Sequence, residues 1–168
     1  MTSALIALAP QAGRRAPRPI YVTKGGGMLK AVASTPAGQP GYLAKYTARV
    51  TAPGQARRDV VRTLTRWGLE QLSDTAELLV AELVTNAVIH TNTRVISVTV
   101  TRTGGTSVRI VVMDTDRTEI TPPTALGVGE ESGRGLLLVA RLAVRWGIER
   151  VVTGKRIWCD LDTQEVNL

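Results

Sequence analysis

Glu82 and Asn86 stand four residues apart in AELLVAELVTNAVIH, residues 76–90. On a helix that spacing puts both side chains on one face, about 6 Å apart along the axis. Leu78, Leu79, Leu83, Val84, Ala87 and Val88 make the segment a buried helix. A carboxylate and an amide among such neighbours cost roughly several kcal/mol unless they are partnered. An amide oxygen is a hard, neutral ligand suited to Mg²⁺, which takes few protein ligands and keeps waters and phosphates. A carboxylate one turn earlier can orient or deprotonate the water or hydroxyl that attacks a γ-phosphate. The plainer alternative is a solvated stripe on a half-exposed helix. His90 continues the stripe, either as a metal ligand or phosphate donor or, preferred here, as a C-terminal cap.

Two further stretches carry chemistry. Asp114 follows VRIVVM directly, where a strand leaves the sheet. A carboxylate there either accepts a hydrogen bond from an exocyclic amine such as that of adenine or shapes an ordinary turn. GVGEESGRG, residues 127–135, then enters a helix. Glycines at a helix start let backbone N–H groups approach phosphates, and the helix dipole favours the anion. Arg134 adds a charge suited to a polyphosphate. The alternative is a simple helix start with Ser132 as N-cap. GxxxxGK[ST] is absent, and GxGxxG spacing is not met, so the P-loop and Rossmann readings fail.

These residues need elements to hold them. Residues 44–51 alternate as a strand that Pro53-Gly54 ends. Residues 55–67 form a helix with Ala56, Val60, Val61, Leu64 and Trp67 on one side and Arg57, Arg58, Arg62 and Arg66 mainly on the other. Ser73 or Asp74 is expected to cap the next helix, which runs to about His90. Residues 94–103 and 107–114 form a hairpin around Gly104-Gly105. Residues 115–132 read as a lid, because so long a structureless stretch in a compact domain is usually functional. LLLVARLAV follows as a buried helix, and residues 145–152 and 155–161 form a second hairpin. Short connections between neighbouring strands predict a mixed, mostly antiparallel sheet with helices on one face: an α+β two-layer sandwich.

Composition narrows the function classes. With 168 residues and 43% hydrophobic content, one domain with a real core is expected. One cysteine, Cys159, excludes an intramolecular disulfide, and one histidine excludes a multi-histidine metal centre. No apolar run approaches the roughly 18 residues of a membrane span, and the first residues lack the basic start of a secretory signal, so a cytoplasmic protein is expected. The formal charge of +7 is unevenly placed. Residues 1–58 hold nine Lys/Arg and no Asp or Glu, whereas residues 59–168 hold twelve Lys/Arg and fourteen Asp/Glu. The basicity belongs to the front of the chain, where residues 1–41 also hold five of the eight prolines and six of the sixteen glycines. That composition predicts a disordered basic extension over 1–41, a folded domain over 42–163 and a tail over 164–168.

Together, ELVTNA on a helix, a hairpin ending in Asp114, a lid, and SGRG opening a helix resemble the GHKL, or Bergerat-fold, ATP-binding domain. The match is nearest to its stand-alone anti-sigma-factor kinase branch, common among actinobacterial regulators, and covers roughly residues 44–161. The resemblance implies a histidine-kinase-like ATPase fold with ATP and Mg²⁺ as cofactors. It assigns Asn86 to Mg²⁺, Glu82 to general base, Asp114 to the adenine amine, and Gly133 and Gly135 to the phosphates, where the charge of Arg134 between them would add to the binding. His90 matches a frequent position after this motif and is not a phosphoacceptor in the family. Two departures stand out. The family's DxGxG is here Asp114-Thr115-Asp116-Arg117-Thr118, without glycine, and Lys155-Arg156 follow Gly154 where a threonine is usual.

The implied function is serine/threonine kinase activity toward an anti-sigma-factor antagonist. A sigma factor would be captured by partner switching, in a homodimer. No phosphorylatable-histidine helix precedes the domain, so a complete sensor histidine kinase is not expected. A second reading is a non-catalytic switch that binds proteins with or without ATP. A third is a regulator that touches nucleic acid through the basic residues 14–58.

Overall fold

The computed structural model describes residues 41–116 and 134–164, with Arg134 described by its backbone only. The expectations for residues 1–40, the lid segment 117–132, Gly133, the Arg134 side chain and residues 165–168 lie outside the described residues.

Five strands and three helices follow in the order β1 (Gly41–Thr47), α1 (Ala52–Arg66), α2 (Ser73–His90), β2 (Val95–Arg102), β3 (Ser107–Asp114), α3 (Arg134–Leu142), β4 (Arg145–Val151) and β5 (Gly154–Asp162). The sheet order is β1-β2-β3-β5-β4, and every neighbouring pair is antiparallel. The expected two-layer α+β architecture is what forms, with no parallel pair among the described residues.

Period-two alternation decides which face is covered. Ile96, Val98 and Val100 on β2, Val108, Ile110 and Val112 on β3, and Ile157, Cys159 and Leu161 on β5 are buried together. Against them pack Ala52, Ala56, Val60 and Leu64 of α1, Leu79, Val80, Leu83 and Val84 of α2, and Leu136 and Val139 of α3. The other face is polar and charged. There Arg109 pairs with Asp160 through two hydrogen bonds of 2.7 and 2.8 Å and stacks 4.4 Å above the Trp158 ring. Arg145 reaches the same carboxylate at 2.9 Å. Trp158 is buried beneath the Arg109 guanidinium, on the face away from the helices.

Several boundaries move from their expected places. β1 starts at Gly41 and ends at Thr47, so Val50 falls in a turn and is 89% exposed. Pro53 lies inside the first turn of α1. A proline there gives up only an N–H that has no intrahelical partner, so it starts the helix instead of merely ending the strand. Ser73 and Asp74 lie within α2, which begins after a short 3₁₀ turn at Glu70–Leu72 with no side-chain cap. The Ser73 hydroxyl is buried without a hydrogen-bond partner among the described residues. Leu78, placed in the apolar set, is 43% exposed.

α1 stops in a Schellman motif. Gly68 takes φ +68°, Leu69 N donates to Leu64 O at 2.9 Å, and Gly68 N donates to Thr65 O at 3.1 Å. Leu64 and Leu69 are both buried, which supplies the apolar contact that usually closes this motif. The stop turns the chain back so that α2 packs along α1 and over the sheet.

Candidate functional site

α2 and α3 bring three of the predicted residues together. Glu82 and Asn86 are half-buried on α2, and Gly135 is a buried residue in the first turn of α3. A Cβ added to Gly135 would stand 2.9 Å from Asn86 Nδ2 and 3.0 Å from Glu82 Oε2. The first turn of α3 therefore rests directly on the two polar side chains, and a hydrogen atom at position 135 is what permits it. Neither side chain is engaged in a hydrogen bond or ion pair among the described residues. The donor set suits a hard cation at the Asn86 amide oxygen, and the start of α3 suits an anion through its free N–H groups and dipole.

The second predicted region forms at the ends of β3 and β5. Asp114 continues the alternation of Val108, Ile110 and Val112, so its carboxylate faces the helix layer and is buried. Its Oδ1 accepts a 2.9 Å hydrogen bond from Asp116 N. Lys155 is its register partner on β5, with Nζ 3.9 Å from Asp114 Oδ2 and 3.7 Å from Asp116 Oδ2. Burial pushes the Asp114 carboxyl above the usual aspartate range, and this outweighs the Asp116 N–H and the Lys155 ammonium, which act the other way. Gly154 makes this approach possible. It takes φ +152°, and a Cβ there would stand 2.0 Å from the Asp114 carbonyl oxygen and 2.6 Å from Thr115 Cα. The Thr93 and Thr115 hydroxyls, 2.8 Å apart, tie the start of β2 to the chain leaving β3.

The other assignments divide. Arg134 opens α3. His90 is exposed at the end of α2, and the hydrogen bond closing that helix comes from Thr91 Oγ1, which donates to Ala87 O at 2.6 Å. The capping role expected of His90 thus belongs to Thr91. Lys155 was visible only as a departure from a motif. Its position opposite Asp114 follows from the register of β3 with β5, once the two-residue turn at Val152-Thr153 is placed. Among the described residues no group of three or more His, Cys, Asp and Glu is placed to hold a metal ion. No helix of the described residues is long and apolar enough to cross a membrane.

Comparison with known proteins gives two positive findings. A family model described as the histidine kinase-like ATPase domain matches residues 46–160. The fold is similar to the crystal structure of the RsbU and RsbW domains of Rv1364c from Mycobacterium tuberculosis, with TM-score 0.57 and 18% identity. That likeness covers 73% of this chain and 32% of the other, so the chain spans about a third of that structure's length. At such identity the likeness concerns the fold alone. No curated protein matches the chain.

Proposed function

The chain belongs to the histidine kinase-like ATPase domain family, and from that premise we propose that it binds ATP with Mg²⁺ and phosphorylates a serine or threonine of an anti-sigma-factor antagonist. The observation that carries this reading is the meeting of Gly135 with Asn86 and Glu82. It joins the amide suited to Mg²⁺, the carboxylate suited to proton transfer and the helix start suited to phosphate. The fold likeness to a chain that includes an RsbW domain is in keeping with this branch.

Asn86 would hold Mg²⁺, with Gly133, Arg134 and Gly135 on the phosphate side and Asp114 on the base side. Mg²⁺, when bound, neutralises charge on the transferring phosphoryl group. The chain itself does the positioning. α2 holds Glu82 one turn from Asn86, so the carboxylate that accepts the hydroxyl proton lies beside the cation ligand. The first turn of α3 closes the other side. Phosphorylated antagonist would then release the kinase, a homodimer, to capture a sigma factor.

Calorimetry with ATP, with and without Mg²⁺, on wild type and Asn86→Ala tests the reading. Asn86→Ala is expected to lower Mg²⁺-dependent affinity at least tenfold with folding unchanged. Transfer of labelled γ-phosphate to an antagonist of the source organism, lost in Glu82→Ala, then tests the kinase step. Failure of wild type to bind millimolar ATP would sink the nucleotide reading in favour of a protein-binding switch.

A further inference from the structure

Lys155 replaces the small hydroxyl side chain that the family resemblance leads one to expect, and its surroundings are unusual for a lysine. Its side chain is nine-tenths buried, at 10% exposure. The ammonium faces two carboxylate oxygens at 3.9 and 3.7 Å, which is ion pairing but outside hydrogen-bond reach. Its three N–H donors are therefore unspent among the described residues. Asp114 is similar: Oδ1 accepts from Asp116 N, while Oδ2, the oxygen facing Lys155, accepts no hydrogen bond among the described residues. Neither atom is sealed off: among the described residues the fully buried side-chain polar atoms without a hydrogen bond are Ser73 Oγ and Trp158 Nε1, so the ammonium and the carboxylate oxygen both keep contact with solvent, from which a ligand can reach them. A donor-only cation and an acceptor-only anion thus stand side by side with bonds left to make.

We propose that Lys155 sets the base selectivity of this site, so that the pocket takes guanine nucleotides at least as readily as adenine nucleotides. The Watson–Crick edge of guanine carries a carbonyl, O6, beside two donors, N1–H and N2–H₂. The ammonium can donate to O6 while the carboxylate accepts from the two donors, so every bond is charge-assisted. Adenine offers the carboxylate one exocyclic amine and places that amine's positive edge beside the ammonium. A threonine in place of Lys155 would remove the cation and the partner for O6, leaving the carboxylate to select the adenine amine. The lysine is the element that lets a carbonyl-bearing purine in.

This inference rests on the proposed reading of the Asp114 end as the base pocket, and competition binding separates the two. ATP and GTP, each with Mg²⁺, would be titrated against a fluorescent ATP analogue on wild type, Lys155→Thr and Lys155→Gln. Wild type is expected to bind GTP as tightly as ATP or tighter, and either variant to shift the ratio at least tenfold toward ATP. A wild type that prefers ATP tenfold or more, with the ratio unmoved in a folded variant, overturns the inference and leaves the nucleotide reading standing. Should neither variant fold, the wild-type ratio alone decides by the same limits. Absence of binding by both nucleotides overturns the inference together with the reading beneath it.

Discussion

The two ends of the candidate site are built on opposite principles. Where α3 meets α2, the contact is made by the tips of side chains: Gly135 lies against the Asn86 amide and the Glu82 carboxylate. Where β5 meets β3, the contact is made by backbone: Gly154 lies against the Asp114 carbonyl and Thr115 Cα. Side-chain tips can yield by rotating, whereas a strand in a ladder cannot yield without breaking hydrogen bonds. The α3 end, proposed to hold phosphate, can therefore be altered without loss of fold, but at the β5 end, proposed to hold the base, site and fold are coupled. The charges differ in the same sense. The α3 end presents polar side chains that are unpaired among the described residues, and the β5 end holds a buried carboxylate facing a buried ammonium.

Substituting each glycine by alanine should separate the ends most sharply. Gly154→Ala combines a backbone overlap with a φ that alanine rarely adopts, and should cost on the order of 4 kcal/mol. For a folded domain of about 120 residues that is a fall of about 15 °C in Tm, measurable by thermal unfolding. Gly135→Ala should leave the unfolding free energy within about 1 kcal/mol of wild type, because alanine favours the helix and the displaced groups are side-chain ends. It should nevertheless weaken Mg²⁺-dependent ATP binding at least tenfold by pushing Asn86 aside. A large Tm loss in Gly135→Ala, or none in Gly154→Ala, would break the distinction.

The same difference governs what could be read from the sequence. Glu82 and Asn86 were legible because helical periodicity fixes their common face within one segment. The strands and α3 were legible from alternation and apolar runs, and SGRG marked where Gly135 would open a helix. Lys155 opposite Asp114 is a non-local fact. It depends on the register between two strands that are forty residues apart in the chain, and a one-residue slip would have turned Lys155 to the other face. The motif departure at Lys155 was visible, but not that the lysine would be buried. The turn at Val50 and the missing cap at Ser73 were misplaced for a related reason. Local propensity there yielded to the docking of α1 and α2 on the sheet, which no short window contains.

The smallest expected effect tests the charge contrast. Burial holds the Asp114 carboxyl above the usual aspartate range. Between the unfolded and folded values, the native state keeps a proton that the unfolded chain has released. Its contribution to stability is complete below the unfolded value and is lost as pH rises through the folded one. Asp114→Asn should remove that slope from a series of denaturant melts across the acidic range. Nucleotide binding should respond in the opposite direction, since the base needs an ionised acceptor: affinity should decline as pH falls through the raised value. Asp114→Asn should flatten this decline, whereas Asn86→Ala, which removes no titrating group, should lower affinity at every pH and leave the profile's shape intact. A wild-type profile whose midpoint lies at or below the ordinary aspartate value would mean that Lys155 and the Asp116 N–H outweigh burial, and the base end would be an ion pair first and a nucleobase acceptor second.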